Sequence, residues 1–159
     1  MILAALALGQ AEPVRQLDAE LLATKSATAV LQKHCAEPIR AEVDRGASHD
    51  DPDVRKQLQA GPDEPIVYRR VRLMCGGRVF SRAENWYLPG RLTPEMNAAL
   101  AGDAPYGAVI RPLSPSRRTL SHEPLSGGED ILRHRALVLD KAGRPLAEVV
   151  ETYTGDLLR

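Results

Sequence analysis

The segment Tyr68–Pro89, YRRVRLMCGGRVFSRAENWYLP, sets Arg69, Arg70 and Arg72 within an apolar strand pattern of Val67, Val71, Leu73 and Met74. A guanidinium does not lose its proton, so one held among apolar side chains requires an anionic partner. That partner is either a carboxylate of the chain or the acid group of a ligand. Strand alternation divides the three: Arg69 shares a face with Val67, Val71, Leu73 and Cys75, and Arg70 shares one with Ile66, Tyr68, Arg72 and Met74. Glu84 and Glu151 are the carboxylates of the chain that could pair with Arg70.

Other residue types with chemical potential are fewer. Asn85 is a candidate for lining a pocket, and its neighbour Trp86 reads as core or rim. Arg117 and Arg118 form a second basic pair, able to hold a second anion but better suited to a solvated loop. His34, His49, His122 and His134 are scattered along the sequence, and no Cys-x-x-Cys or Cys/His grouping is present, so no metal is expected. No Ser-His-Asp spacing, phosphate loop or nucleotide fingerprint occurs, and no cofactor is expected.

Composition narrows the partners. Lys+Arg and Asp+Glu both number 21 in 159 residues, giving a formal net charge of zero, with the basic residues spread along the chain. A nucleic-acid partner is therefore not expected, since such proteins carry a basic excess or stripe. Apolar residues make up 43% and charged residues 26%, ordinary for one globular domain with a real core. The run from Met1 to Gly9 is apolar but too short to span a bilayer, which takes roughly 20 residues. With Gln10-Ala11-Glu12-Pro13 it has the look of a secretory leader without its basic start, which favours export to the periplasm over a cytoplasmic location. Residues 1–13 are thus set apart from a single domain at 14–159. Cys35 and Cys75 either pair or remain as small buried hydrophobes; the sequence leaves both open.

The elements that must position these groups follow from periodicity. Leu17, Leu21, Leu22, Val30 and Leu31 predict helix between about Val14 and His34, interrupted near Lys25–Thr28, with Ser26 as N-cap of the second part. Short strand is expected at Ile39–Val43, then a long polar loop to Pro65 with one helical turn near Val54–Leu58. Strands at Ile66–Cys75 and Val79–Leu88 flank a Gly76-Gly77 turn. Thr93-Pro94-Glu95 opens a helix to about Leu100. Tyr106–Arg111 reads as extended, Ser114–Pro124 as loop with a short strand at most, and Ile131–Leu139 with Pro145–Tyr153 as a final hairpin. Helices first, then hairpin-linked strands with one inserted helix, define an α+β domain on an antiparallel sheet.

In that order the chain resembles the chorismate pyruvate-lyases and the wider chorismate-lyase-like fold, which includes effector-binding domains of bacterial transcription regulators. The marks are Ser26-Ala27-Thr28, Arg70 five residues before Cys75, Pro89, Pro105-Tyr106-Gly107, Arg117, and Gly143-Arg144-Pro145-Leu146 ahead of a glutamate on the last strand. The resemblance covers about residues 15–155. It implies that Arg70 anchors a ligand carboxylate and that Glu151 faces the oxygen at the ring's far end. It also implies that Tyr106 and Ala27 shape the wall. Arg70 is chosen here by its spacing from Cys75 and not by alternation. Glu151 stands one residue further from Gly143 than the resemblance requires, which calls for a β-bulge; the strict position is Val150, and Glu148 is the other candidate. The implied function is a domain binding a small carboxylated cyclic or aromatic ligand. As an enzyme it would eliminate pyruvate from chorismate to give 4-hydroxybenzoate; the alternative is a non-catalytic, periplasmic small-molecule-binding or sensor module on the same fold. No membrane partner is expected, and the oligomeric state is left open.

Overall fold

A computed structural model describes residues 2–159, with side chains from Glu12 onward. Six antiparallel strands form one sheet in the order β1-β2-β3-β6-β5-β4. They are β1 (Arg40–Asp44), β2 (Val67–Cys75), β3 (Arg78–Tyr87), β4 (Ser116–Pro124), β5 (Asp130–Leu139) and β6 (Pro145–Thr154). The helices are α1 (Ile2–Ala23), α2 (Ala27–Lys33), α3 (Pro52–Gln57), α4 (Pro94–Ala101) and α5 (Tyr106–Val109). This is the expected α+β architecture. Sequence-adjacent hairpins β2–β3 and β5–β6 are joined side by side through β3 and β6, which places the two hairpins' central strands over the middle of the domain.

Three helix starts, those of α2, α3 and α4, have a local cause. The Ser26 hydroxyl accepts from the Ala29 amide at 3.2 Å, and Thr93 does the same for Met96 at 3.2 Å. Asp51 caps α3, with Pro52 at its first position. One face of the sheet carries Val71, Leu73, Phe80 and Tyr153 under Leu17, Leu21, Val30 and Leu31 of α1 and α2. The fully buried side chains among these contribute roughly 1.5–3 kcal/mol each by leaving water. The opposite face is covered only in part, where Val54 of α3 and Leu58 just after it pack on Trp86, Leu88 and Leu137. Trp86 is core, and its indole donates to the His49 carbonyl at 3.0 Å. Cys35 and Cys75 are disulfide-bonded, their Cα atoms 5.8 Å apart, tying the end of α2 to the end of β2.

Two segments depart from expectation. Tyr106–Val109 is helical, not extended, and runs into a 3-10 turn at Arg111–Leu113. Tyr106 and Ile110, four apart, both turn inward, so helical spacing overrides the β-propensity of Val109 and Ile110. Ser116–Pro124 is a nine-residue strand. It lies at the sheet edge with most side chains exposed, so it lacks the apolar alternation that marks a half-buried strand. The leader reading of residues 1–13 falls partly on Met1, outside the described residues, and on residues 2–11, whose side chains are not described. The backbone of Ile2–Ala23 is one helix that passes through Pro13.

Candidate functional site

A cavity lies between the sheet and the roof formed by α2 and α5. Its floor is Val71, Leu73, Ala83 and Asn85, with Val138, Val149 and Glu151 beyond and Arg117 closing the end. Ser26, Ala27 and Thr28 at the start of α2, with Tyr106, Gly107 and Ile110 of α5, form the roof. Small residues create the space: Ala83 sits in register between Val71 and Glu151, and Ala27 and Gly107 occupy the roof. Gly107 approaches α2 so closely that a Cβ there would meet Thr28 Oγ1 at 2.9 Å. About 40 Å³ is open to the centre of a water molecule, within an envelope of about 510 Å³ that includes the mouth. The enclosed part has room for a few water molecules and no more.

The charged end is a buried ion pair. Arg117 Nη2 donates to Glu151 Oε1, with side chains only 9% and 8% exposed. Burial works against the charged guanidinium, but the adjacent carboxylate outweighs it and holds the Arg117 pKa above the ordinary arginine value. Burial pushes the Tyr153 hydroxyl well above the ordinary tyrosine value, and the Glu151 charge adds to the rise. The Tyr106 hydroxyl has no hydrogen-bond partner among the described residues, and its burial also raises its pKa.

The register explains how Glu151 reaches the cavity. Val138 pairs with Ala147 while Leu139 pairs with Pro145, leaving Leu146 as the extra residue of a bulge. That insertion turns Glu151 to the helix-covered face, opposite Ala83 and His134. Glu148 faces the other side, fully buried, where Arg135 donates to it at 2.8 Å.

The structure brings together Ala27, Asn85, Tyr106, Arg117 and Glu151, and it does not bring Arg70 to them. Arg70 is on the opposite face, 54% exposed, with Nη2 2.5 Å from Asp44. Its hydrogen bond holds the Asp44 carboxyl below the usual range. The expected carboxylate anchor is therefore corrected: the spacing from Cys75 selected a residue whose side chain points away from the cavity. The inward arginine is Arg69, 4% exposed and opposite Asn85 in register. Alternation was the signal that marked it. Arg69 Nη2 donates to the carbonyls of Gly102 at 3.1 Å and Ala104 at 2.7 Å, so it fastens the connection between α4 and α5. Its Nε and Nη1 have no partner among the described residues, and burial lowers its pKa. Other cavity residues that sequence reasoning missed, such as Val71, Ala83 and Ile110, carry no chemical signature and are found only by topology.

The fold matches solved transcriptional regulators. PhnF from Mycobacterium smegmatis superimposes with a TM-score of 0.60 at 12% identity, over 85% of this chain and 66% of PhnF. The effector domain of PhnF alone gives 0.54 over 74% of this chain and 82% of the domain, also at 12% identity. A GntR-family transcriptional regulator from Enterococcus faecalis V583 gives 0.51 at 13% identity, over 75% of this chain and 96% of that one. The chain spans 58% of the possible transcriptional regulator YydK of Bacillus subtilis. No protein-family model matches. The class is thus a chorismate-lyase-like α+β domain, the fold of effector-binding domains in GntR-family regulators. The chain is 37% identical over 177 aligned positions to the uncharacterized protein y4mC of Sinorhizobium fredii NGR234, covering 91% of this chain and 75% of that protein. It belongs to the y4mC family.

These likenesses correct two expectations. The preference for export is overturned, because the proteins sharing the fold are transcriptional regulators. No helix among the described residues is long and apolar enough to cross a membrane. The exclusion of nucleic acid is overturned on the same ground, since transcriptional regulators act on DNA. A neutral charge balance describes this stretch of polypeptide alone. A small-molecule partner fits the fold's neighbours; turnover of chorismate has no support among them.

Proposed function

We propose that this chain is a non-catalytic ligand-binding module whose cavity takes a small carboxylated cyclic or aromatic molecule. One observation carries the reading: the buried Arg117–Glu151 pair closes the end of a cavity otherwise walled by apolar side chains. Arg117 keeps Nη2 on Glu151 and offers its remaining N–H groups to an incoming carboxylate. Val71, Val138, Val149 and Ile110 then face the ring, and Asn85 offers one amide for orientation. A ring is larger than the enclosed space, so α2 and α5 must part to admit it. The effector domain of PhnF is a neighbour of this fold, which supports a binding role.

A lyase mechanism gains nothing from the geometry. The two residues expected to hold opposite ends of chorismate, Arg70 and Glu151, lie on opposite faces of the sheet. Glu151 is also engaged by Arg117.

Titration calorimetry with 4-hydroxybenzoate as the probe tests the proposal. Saturable binding is expected for the parent and for Arg70→Ala, with binding lost in Arg117→Ala. Equal binding by Arg117→Ala, or loss in Arg70→Ala alone, would overturn the assignment. Accumulation of 4-hydroxybenzoate from chorismate would overturn the non-catalytic reading.

A further inference from the structure

Three elements, α1, β4 and β5, converge on one carboxylate. Asp18 of α1 meets His122 Nδ1 at 3.0 Å through Oδ2 and His134 Nε2 at 2.6 Å through Oδ1. The histidines are cross-strand partners on β4 and β5, so both rings project to the face that α1 covers. The three ligand atoms lie within 4.8 Å of one another. We propose that Asp18, His122 and His134 bind a borderline divalent transition ion, with zinc(II) as the representative.

Chemistry and geometry agree. Two imidazole nitrogens and one carboxylate oxygen suit zinc and its first-row neighbours and not calcium or magnesium, which favour all-oxygen shells. Zinc holds such ligands at about 2.0–2.2 Å, so shifts on the order of an ångström place these three atoms around one ion. The metal replaces the protons now shared between the imidazoles and the carboxylate. Among the described residues neither ring has a second hydrogen-bond partner, so no competing bond is broken. His134 is 1% exposed, and the Tyr153 ring stands edge-on to it at 5.8 Å, which fixes the plane of the buried ligand. His122 is 47% exposed in its side chain, so the outer side of the ion is open to water as remaining ligand. Three protein ligands with an open position is an arrangement zinc accepts. Bound there, the ion fastens α1 to the edge hairpin of the sheet.

Zinc titration of the full chain, prepared without a histidine tag and monitored by calorimetry, decides the matter. One zinc per chain is expected, with a melting temperature that rises with zinc concentration. Affinity should fall by at least about tenfold in His122→Ala, a half-exposed position whose loss leaves the core intact. Cobalt(II) should give visible d–d bands that disappear in Asp18→Ala. No stoichiometric uptake by the parent, or uptake undiminished in folded His122→Ala, would overturn the site and leave Asp18 as a hydrogen-bond acceptor only. Neither outcome bears on 4-hydroxybenzoate binding.

Discussion

Arg117 on β4 reaches across β5 to Glu151 on β6, and each shields the other's charge within a site almost closed to water. Removing one member leaves the other buried without compensation. Arg117→Ala is expected to destabilise the fold by about 3–5 kcal/mol, while the double change Arg117→Met with Glu151→Leu recovers most of the loss. Urea unfolding midpoints measure both. Arg70→Ala, which breaks an exposed pair with Asp44, should leave the unfolding midpoint nearly unchanged. A larger loss from Arg70 than from Arg117 would refute this ordering.

Gly107 concerns the roof. An added methyl there meets Thr28 Oγ1 at 2.9 Å, closer than side chains pack. Gly107→Ala is expected to cost about 1–3 kcal/mol through overpacking. Adding Thr28→Ala removes the obstructing oxygen and should return part of that loss. Independent, additive effects in a double-mutant cycle would show that the two helices do not touch there.

The Cys35–Cys75 link closes a span of 40 residues. In the chain-entropy account such a closure stabilises by about 4 kcal/mol. Denaturant unfolding with and without reductant should show a loss of that order, and Cys35→Ser/Cys75→Ser should unfold at the reduced protein's midpoint in either condition. Indifference of the parent to reductant would contradict it.

Acid should weaken the other face of the sheet. Glu84 accepts from the Tyr68 hydroxyl at 2.6 Å and meets His49 Nδ1 at 2.9 Å. Burial alone would raise its pKa, but these partners together pull it below the ordinary carboxylate value. The sign follows: this stabilisation is complete above the unfolded carboxylate's pKa of about 4.3 and is lost as pH falls through the lower folded value. Stability measured from about pH 6 to pH 3 should fall less steeply in Glu84→Gln than in the parent. Parallel slopes would remove Glu84 from the account.

The helix caps at Ser26 and Thr93, the Gly76 turn and both central hairpins were legible because each rests on a local rule. Glu151 was legible by likeness, and only the bulge at Leu146 explains why it faces inward. The arginine on β2 was placed by likeness against alternation, and alternation identified the side chain that turns in. β4 was hidden because an exposed edge strand has no apolar rhythm. Neither His122 nor His134 stood out along the chain, since their closeness arises from strand pairing and from a helix more than a hundred residues earlier in sequence.

The sulfur bridge holds the far end of α2 to β2, while the near end, Ser26 to Thr28, hangs over the cavity. A short rod clamped at one tip swings only at the other. Whatever opens this roof must therefore act as a lever about Cys35, lifting the Ser26 tip and carrying α5 with it through the Gly107 contact. Cutting the bridge would let the whole rod slide, and the same guest would then be met by a looser door.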